Sequence, residues 1–194
     1  MKFIEKYMEN IAWGITNLDF KKLDKIINQL YKLKKNNGRI FFIGVGGSAA
    51  NCSHAVNDFR KLCNIESYCI TDNVSEVTAR TNDEGWETVF EKYLITSKFS
   101  KKDAIFIMSV GGGNIKQNVS VNIVKAVKLA LRKNSKIFGI VGKKEGFSYK
   151  SSKLVLSVPI YDRKLITPIS ESAQSIIWHC IVSDPRLAVN KTKW

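Results

Sequence analysis

Both histidines of this chain stand at helical spacing from a carboxylate. His54 precedes Asp58 by four residues, and His179 follows Glu171 by eight. Because residues four apart lie on one face of a helix, His54 and Asp58 can point to a common position. Imidazole and carboxylate groups together suit either a metal site or an acid/base pair. The alternative is that each histidine only fills a gap in a helix face.

A glycine-rich turn lies just upstream of His54. The segment Gly44–Ser48 follows the apolar run Ile40–Ile43, which is typical of a buried strand, and precedes a predicted helix with Ser48 as its N-cap. Backbone amides and the helix dipole at such a turn favour an anion such as phosphate. The sequence carries neither the third glycine of a dinucleotide fingerprint nor the lysine of a P-loop, so we expect no nucleotide cofactor.

A second glycine turn repeats this pattern. The apolar run Ala104–Met108 predicts a strand, Ser109 and Gly111–Gly113 follow it, and a helix is predicted from about Asn118 to Arg132. Both turns would then lie at the carboxyl edge of one parallel sheet, where open α/β folds bind ligands. The alternative is that Gly111–Gly113 only form a tight connection between strand and helix. Such a connection needs positive φ angles and therefore the same small residues.

The remaining elements alternate between helix and strand. Apolar periodicity predicts two helices within residues 1–35. Further strands are predicted at 67–70, 136–141 and 153–158, and a last helix at 170–183. This alternation implies a parallel sheet covered on both faces, and the length fits a single domain over residues 1–194.

Composition limits the classes of function. The formal charge of +14 comes from 31 basic and 17 acidic side chains. The lysines are dispersed and no recognition motif accompanies them, so we expect a solvated basic surface that attracts anionic metabolites, and nucleic-acid binding ranks last. Four cysteines without a Cys-x-x-Cys pair predict small core residues in a reducing cytoplasm. With no apolar leader or span, we expect a cytoplasmic protein without membrane contact.

Four motifs occur in order along the chain. They are Gly44-x-Gly46-Gly47-Ser48 with His54-x-x-x-Asp58, then Asn82-Asp83-x-Gly85, then Ser109 with its glycine turn, then Glu171-x7-His179. Together they resemble the SIS (sugar isomerase) domain, and most closely the sedoheptulose 7-phosphate isomerases, also called phosphoheptose isomerases. The resemblance covers nearly the whole chain. It implies a three-layer αβα sandwich around a five-stranded parallel sheet, and a homotetramer with active sites at subunit contacts. It also implies conversion of sedoheptulose 7-phosphate to glycero-manno-heptose 7-phosphate for bacterial surface polysaccharide.

The resemblance also assigns roles to individual residues. It implies Asp58 as the catalytic base and His179 as the second acid/base. One Zn²⁺ per site is implied, with the ligands His54, Asp58, Glu171 and His179. Substrate contacts are implied for Gly46, Gly47, Ser48, Asn82, Asp83, Ser109, Gly111, Asn114 and Glu171.

Some positions depart from the family pattern. Asp58 and Glu171 stand where the family usually has glutamate and glutamine. The shorter Asp58 must approach the substrate carbon more closely, and the charge of Glu171 favours a divalent metal. Gly111 and Asn114 stand where the family usually places phosphate-binding serines. A phosphate would then depend more on backbone amides.

The sequence leaves a rival function and a question of assembly. The rival is a non-catalytic SIS protein that binds a sugar phosphate or a protein partner such as a replication initiator; the paired acids and bases favour the enzyme. We expect the active site to need more than one subunit, because Asp58 and His179 come from opposite ends of the chain. Glu171 and His179 are also about 12 Å apart along a helix, so both can bind one ion only if it lies between them or if one of them comes from a neighbouring subunit. The first helix presents an apolar face, including Ile4 and Met8, that could build the assembly.

Overall fold

A parallel sheet forms the centre of the molecule. The computed structural model describes residues 2–191, so the ends of the predicted domain, Met1 and residues 192–194, lie outside the described residues. The strands are β1 (Ile40–Ile43), β2 (Ser67–Cys69), β3 (Ala104–Ser109), β4 (Lys136–Val141) and β5 (Val155–Ser157). They pair in the order β2-β1-β3-β4-β5, and every pair is parallel. Because β1 and β3 are neighbours, the two glycine turns that follow them lie side by side at the carboxyl edge, as predicted.

Helices cover both faces of this sheet. They are α1 (Phe3–Thr16), α2 (Phe20–Lys35), α3 (Gly47–Lys61), α4 (Val74–Glu84), α5 (Val89–Thr96), α6 (Val121–Arg132), α7 (Phe147–Ser151) and α8 (Ile166–Ser183). One apolar cluster packs α2, α3 and α8 against one face, and a second packs α5 and α6 against the other. This confirms the predicted three-layer αβα sandwich. Over residues 2–191, every helix is too short or too polar to cross a bilayer.

Several predicted boundaries differ from the structure. Helix α6 begins at Val121 rather than near Asn118, because Asn118 and Ser120 have φ values of 52° and 48°, outside the right-handed helical region. Helix α8 begins at Ile166, four residues before the predicted start. Strand β5 is shorter than the predicted segment 153–158. The centres of these elements were predicted correctly, and their ends depend on local backbone geometry.

Helices α4 and α5 were not predicted. The start of α4 does carry a signal, since the Asn73 side chain accepts a hydrogen bond from the Glu76 amide at 3.1 Å. Helix α5 is only eight residues long, but it buries Val89, Phe90 and Leu94. Such a short segment gains most of its stability from packing, so its pattern alone predicts little.

Three of the four cysteines lie in the core, as predicted. Burial raises the pKa of the Cys52 thiol, and it raises that of Cys63 to about 11. These thiols therefore stay protonated near neutral pH, which is consistent with small core residues. The prediction was wrong for Cys180, which is exposed on α8.

Candidate active site

Two helices bring the candidate acid, base and metal-binding groups together. Helix α3 carries His54 and Asp58, and α8, which packs on the same face of the sheet, carries His179. One nitrogen or oxygen atom from each residue lies within 4.8 Å of the others. His179 Nε2 is 3.9 Å from Asp58 Oδ2. A single chain therefore assembles this cluster, so the distance between Asp58 and His179 in the sequence, which suggested two subunits, is bridged by the packing of α3 on α8.

The ring of His179 is held in one orientation. Its Nδ1 atom lies 2.8 Å from the carbonyl oxygen of Ser175, one turn earlier on α8. A carbonyl can only accept a hydrogen bond, so Nδ1 carries the proton and donates it. In the neutral ring Nε2 is then unprotonated and faces Asp58, ready to accept a proton or bind a metal.

The other two members of the cluster are also positioned by neighbours. Asp58 Oδ1 accepts a hydrogen bond from the Asn57 side chain at 2.8 Å, which leaves Oδ2 toward His179. The His54 ring packs edge-on against Trp178, with ring centroids 4.7 Å apart. The Asp58 side chain is 14% exposed and that of His179 is 47% exposed. Both imidazoles are thus open to solvent, whereas the Asp58 carboxylate is largely covered.

Glu171, the fourth predicted metal ligand, is not part of this cluster. Its carboxylate lies at the start of α3, where a Cβ on Gly47 would come within 2.5 Å of an oxygen of Glu171. The Ser48 hydroxyl donates to Glu171 Oε1 at 3.3 Å. Eight residues of straight helix separate Glu171 from His179, so the two side chains meet different parts of α3.

The position of Glu171 changes the expected role of the first glycine turn. Gly46 has φ 62°, and α3 begins at Gly47, so Ser48 lies inside the helix and is not its N-cap as predicted. A carboxylate of the chain itself occupies the positive end of this helix. A phosphate at the same position would meet a like charge, and the substrate contacts of Gly46, Gly47 and Ser48 stay a prediction.

A buried polar network joins the two helices beside Glu171. The Gln174 side chain, which is fully buried, donates to Ser48 Oγ at 3.2 Å and accepts from Asn51 at 3.0 Å. Asn51 also reaches the carbonyl of Glu171 at 2.9 Å. Sequence reasoning missed the role of Asn51. Asn51 follows Ser48 by three residues, and Gln174 follows Glu171 by three residues. This spacing places each pair on one helix face, and it was the signal in the sequence that the two pairs could meet.

The second glycine turn, Ser109–Asn114, borders an open cleft. Ser109 Oγ accepts a hydrogen bond from the Gly112 amide at 3.0 Å, and Gly112 and Gly113 have φ values of 69° and 84°. The cleft measures about 370 Å³. Its lining consists of Gly111, Gly113, Asn114, Gln117, Val119, Lys143, Glu145, Gly146 and Arg163. The predicted substrate residues Gly111 and Asn114 therefore share one concave surface.

Asn82 and Asp83 make no hydrogen bond to the cluster or to either glycine turn among the described residues. Both are exposed near the end of α4, and the Asn82 side chain donates to Asp83 Oδ1 at 2.8 Å. Their contact with a substrate stays a prediction.

The fold and the site together define a class of protein. A cluster of candidate catalytic groups lies on two helices that cover one face of a parallel sheet in a three-layer sandwich, and a glycine-lined cleft lies at the carboxyl edge of that sheet. The model of the SIS domain family matches residues 4–142, more than half of the chain. The chain therefore belongs to the SIS domain family.

Known proteins resemble the chain over most of its length. The phosphoheptose isomerase of Aliarcobacter butzleri is 27% identical over 180 residues, which cover 90% of this chain and 89% of that protein. The lincomycin biosynthesis protein LmbN of Streptomyces lincolnensis is 27% identical over 157 residues, or 76% of this chain and 56% of that protein. The chain thus spans little more than half of LmbN. The structure of phosphoheptose isomerase GmhA from Neisseria gonorrhoeae shares the fold, with a TM-score of 0.74, 22% identity, and coverage of 92% of this chain and 95% of that one.

Proposed function

We propose that this chain is an aldose–ketose isomerase that converts sedoheptulose 7-phosphate to glycero-manno-heptose 7-phosphate. The observation that carries the proposal is the cluster of His54, Asp58 and His179, which places a carboxylate beside an imidazole with a free nitrogen. A module that only binds a sugar phosphate has no need of such a pair. Relatives named phosphoheptose isomerase, one of which matches nine tenths of the chain, support the same reaction.

The reaction needs two proton transfers, and the cluster can supply both. Asp58 takes the proton from the carbon next to the carbonyl, which produces a cis-enediol, and returns it to the neighbouring carbon. His179 Nε2 accepts the hydroxyl proton and gives it to the other oxygen. Each group ends the cycle in its starting state, as general acid/base catalysis requires.

The same residues fit a divalent metal, and we propose Zn²⁺. An atom whose lone pair is bound to the metal cannot also accept a proton, so Asp58 and His179 would each act as a base only while that atom is free of the metal. Two imidazoles and one carboxylate with ligand atoms within 4.8 Å match the donor set of catalytic zinc sites, which leave a position open for substrate. When bound, zinc polarises the substrate carbonyl and stabilises developing negative charge on its oxygen. Glu171 could serve as a fourth ligand only if its side chain moved away from Gly47 or if it came from a second subunit.

We further propose a cytoplasmic homotetramer with active sites at subunit contacts, supplying heptose for lipopolysaccharide or capsule. His54 is exposed and His179 half-exposed, whereas an enediol intermediate benefits from exclusion of water. Helix α1 also exposes Phe3, Ile4 and Met8, at 68%, 68% and 60%. Light scattering is expected to give four times the chain mass. A monomer that isomerises at full rate would contradict the assembly.

Direct assay tests the proposed reaction. Purified protein is incubated with sedoheptulose 7-phosphate, and formation of the aldose phosphate is followed by NMR, with unphosphorylated sedoheptulose as the control substrate. We expect turnover of the phosphate ester only. Binding without turnover would instead identify a non-catalytic SIS protein, and an absence of both would refute the substrate assignment.

A further inference from the structure

Trp178 lies directly before His179 on α8 and is fully buried. Its side chain is 0% exposed and belongs to the apolar cluster that packs α2, α3 and α8 against one face of the sheet. A large ring enclosed in this way keeps one orientation, because close packing of the core leaves little room for another rotamer. Trp178 therefore offers the residues beside it a fixed aromatic surface.

Both histidines of the cluster pack on this indole. The ring centroids of Trp178 and His179 are 3.5 Å apart, and the ring planes are tilted by 30°. The His54 ring meets the indole edge-on, at 4.7 Å and 67°. The two imidazoles are 5.4 Å apart and nearly perpendicular, at 84°. One buried indole thus sets the position of each imidazole relative to the other.

His54 has few other restraints. Its imidazole is exposed, and among residues 2–191 it takes part in no hydrogen bond or ion pair. Its remaining aromatic contact is with His179, which rests on the same indole. An unrestrained imidazole would occupy several rotamers and would lose that freedom on binding a metal or a substrate. Packing against Trp178 reduces this entropic cost before anything binds.

The indole nitrogen indicates that Trp178 does more than fill the core. Nε1 is buried and donates to no protein group among residues 2–191. A buried N–H without a partner costs free energy, and leucine or phenylalanine would avoid that cost in an apolar core. Departures from good core packing of this kind are expected beside functional groups. The contact with two imidazoles is the function that this position suggests.

We propose that Trp178 is a positioning residue of the proposed active site. Its indole holds the imidazoles of His54 and His179 so that one nitrogen of each ring and one Asp58 oxygen lie within 4.8 Å of one another. The expected effects on zinc and on catalysis rest on the proposed function, whereas the positioning is a property of the free protein. Residues that orient metal ligands typically change metal affinity about 10–100-fold.

NMR of the metal-free protein tests the positioning directly. The chain has two histidines, so its imidazole protons give two sets of signals, both from the cluster. In the parent protein we expect nuclear Overhauser effects from the Trp178 indole to both imidazoles, and between the imidazoles themselves. The effect between the imidazoles should weaken in Trp178→Leu. Its absence from the parent protein, or the absence of contacts between the indole and His54, would overturn the proposal.

Zinc titration of the metal-free protein gives the second measurement. Trp178→Leu removes the aromatic surface, whereas Trp178→Phe keeps a ring and serves as the rescue variant. Phe138→Leu is the matched control, because it shortens an equally buried aromatic side chain of the same apolar cluster whose ring packs on Phe106. We expect the zinc Kd to rise about 10–100-fold in Trp178→Leu, less than about threefold in Trp178→Phe and less than about twofold in Phe138→Leu.

Stability and kinetics separate positioning from packing. Trp178→Leu and Phe138→Leu should both lower the temperature of unfolding, since each leaves a cavity in the core. In steady-state assays, kcat should fall at least about tenfold in Trp178→Leu with KM near the parent value, because the buried indole does not touch the substrate. Phe138→Leu should keep the kcat of the parent protein. If Trp178→Leu does not fold, the contacts in the parent protein decide the proposal.

The outcomes distinguish this inference from the proposed reaction. Equal rises in the zinc Kd for Trp178→Leu and Phe138→Leu would show a general loosening of the core and overturn the positioning role. An unchanged Kd in Trp178→Leu would overturn it as well. A protein that neither binds zinc nor isomerises its substrate would refute the proposed function. The contact between the two imidazoles, lost or kept in Trp178→Leu, would then still decide whether Trp178 positions them.

Discussion

Asp58→Asn and His179→Ala are each expected to lower isomerase turnover by about 10²–10⁴-fold, the usual contribution of a general acid or base. Asn retains the shape of Asp58 but cannot accept a proton. Ala at position 179 removes the free Nε2 that faces Asp58. Turnover of sedoheptulose 7-phosphate measures the loss, and thermal unfolding should change little because both groups border solvent.

Ser175→Ala is the matched control for His179. It removes a nearby hydroxyl but keeps the backbone carbonyl that holds Nδ1, so turnover should stay close to that of the parent protein. If Asp58→Asn or His179→Ala lowers turnover by less than tenfold with unchanged unfolding, that residue plays no part in proton transfer. A matching loss in Ser175→Ala would point to a general disturbance of α8.

The second large effect concerns the metal. We expect the purified protein to bind one divalent ion per chain, with His54→Ala weakening zinc affinity by at least about 100-fold, more than the loss of an outer-shell contact. A chelator should abolish isomerisation, and added Zn²⁺ should restore it. Elemental analysis and zinc titration measure the binding. Cys180→Ser is the control, because this exposed thiol next to His179 could otherwise bind zinc on its own.

Glu171→Gln decides the composition of the ligand set. The structure places Glu171 against Gly47, outside the cluster. If His54, Asp58 and His179 of one chain are the only protein ligands, the variant should bind zinc with the affinity of the parent protein. A marked loss of affinity would mean that Glu171 completes the site from another subunit. If the protein binds no metal at micromolar zinc and chelators leave activity intact, His54, Asp58 and His179 act only as acids, bases and hydrogen-bond partners.

Local pattern was enough to predict much of the fold. The runs that form β1, β3 and β4 are rich in β-branched and aromatic residues, and glycine follows β1 and β3 closely. Such signals extend over a few residues and depend little on the rest of the chain. For the same reason, the spacing of His54 and Asp58 placed both on one face of α3. The alternation of strands and helices likewise placed both glycine turns at the carboxyl edge of the sheet.

The tertiary structure alone decided which groups meet. Asp58 and His179 are 121 positions apart, and their approach depends on how α3 and α8 pack on the sheet. Glu171 and His179 are both on α8, but eight residues of helix separate them, so Glu171 lies beside the start of α3 rather than in the cluster. Lys143 lies in the loop after β4 and Arg163 in the short 3₁₀ turn before α8, and no periodic pattern describes either segment. Lys143 reaches the cleft because hydrogen bonds tie the β4–α7 loop to the second glycine turn. Contacts between distant segments arise from crossover geometry and core packing, which local spacing does not encode.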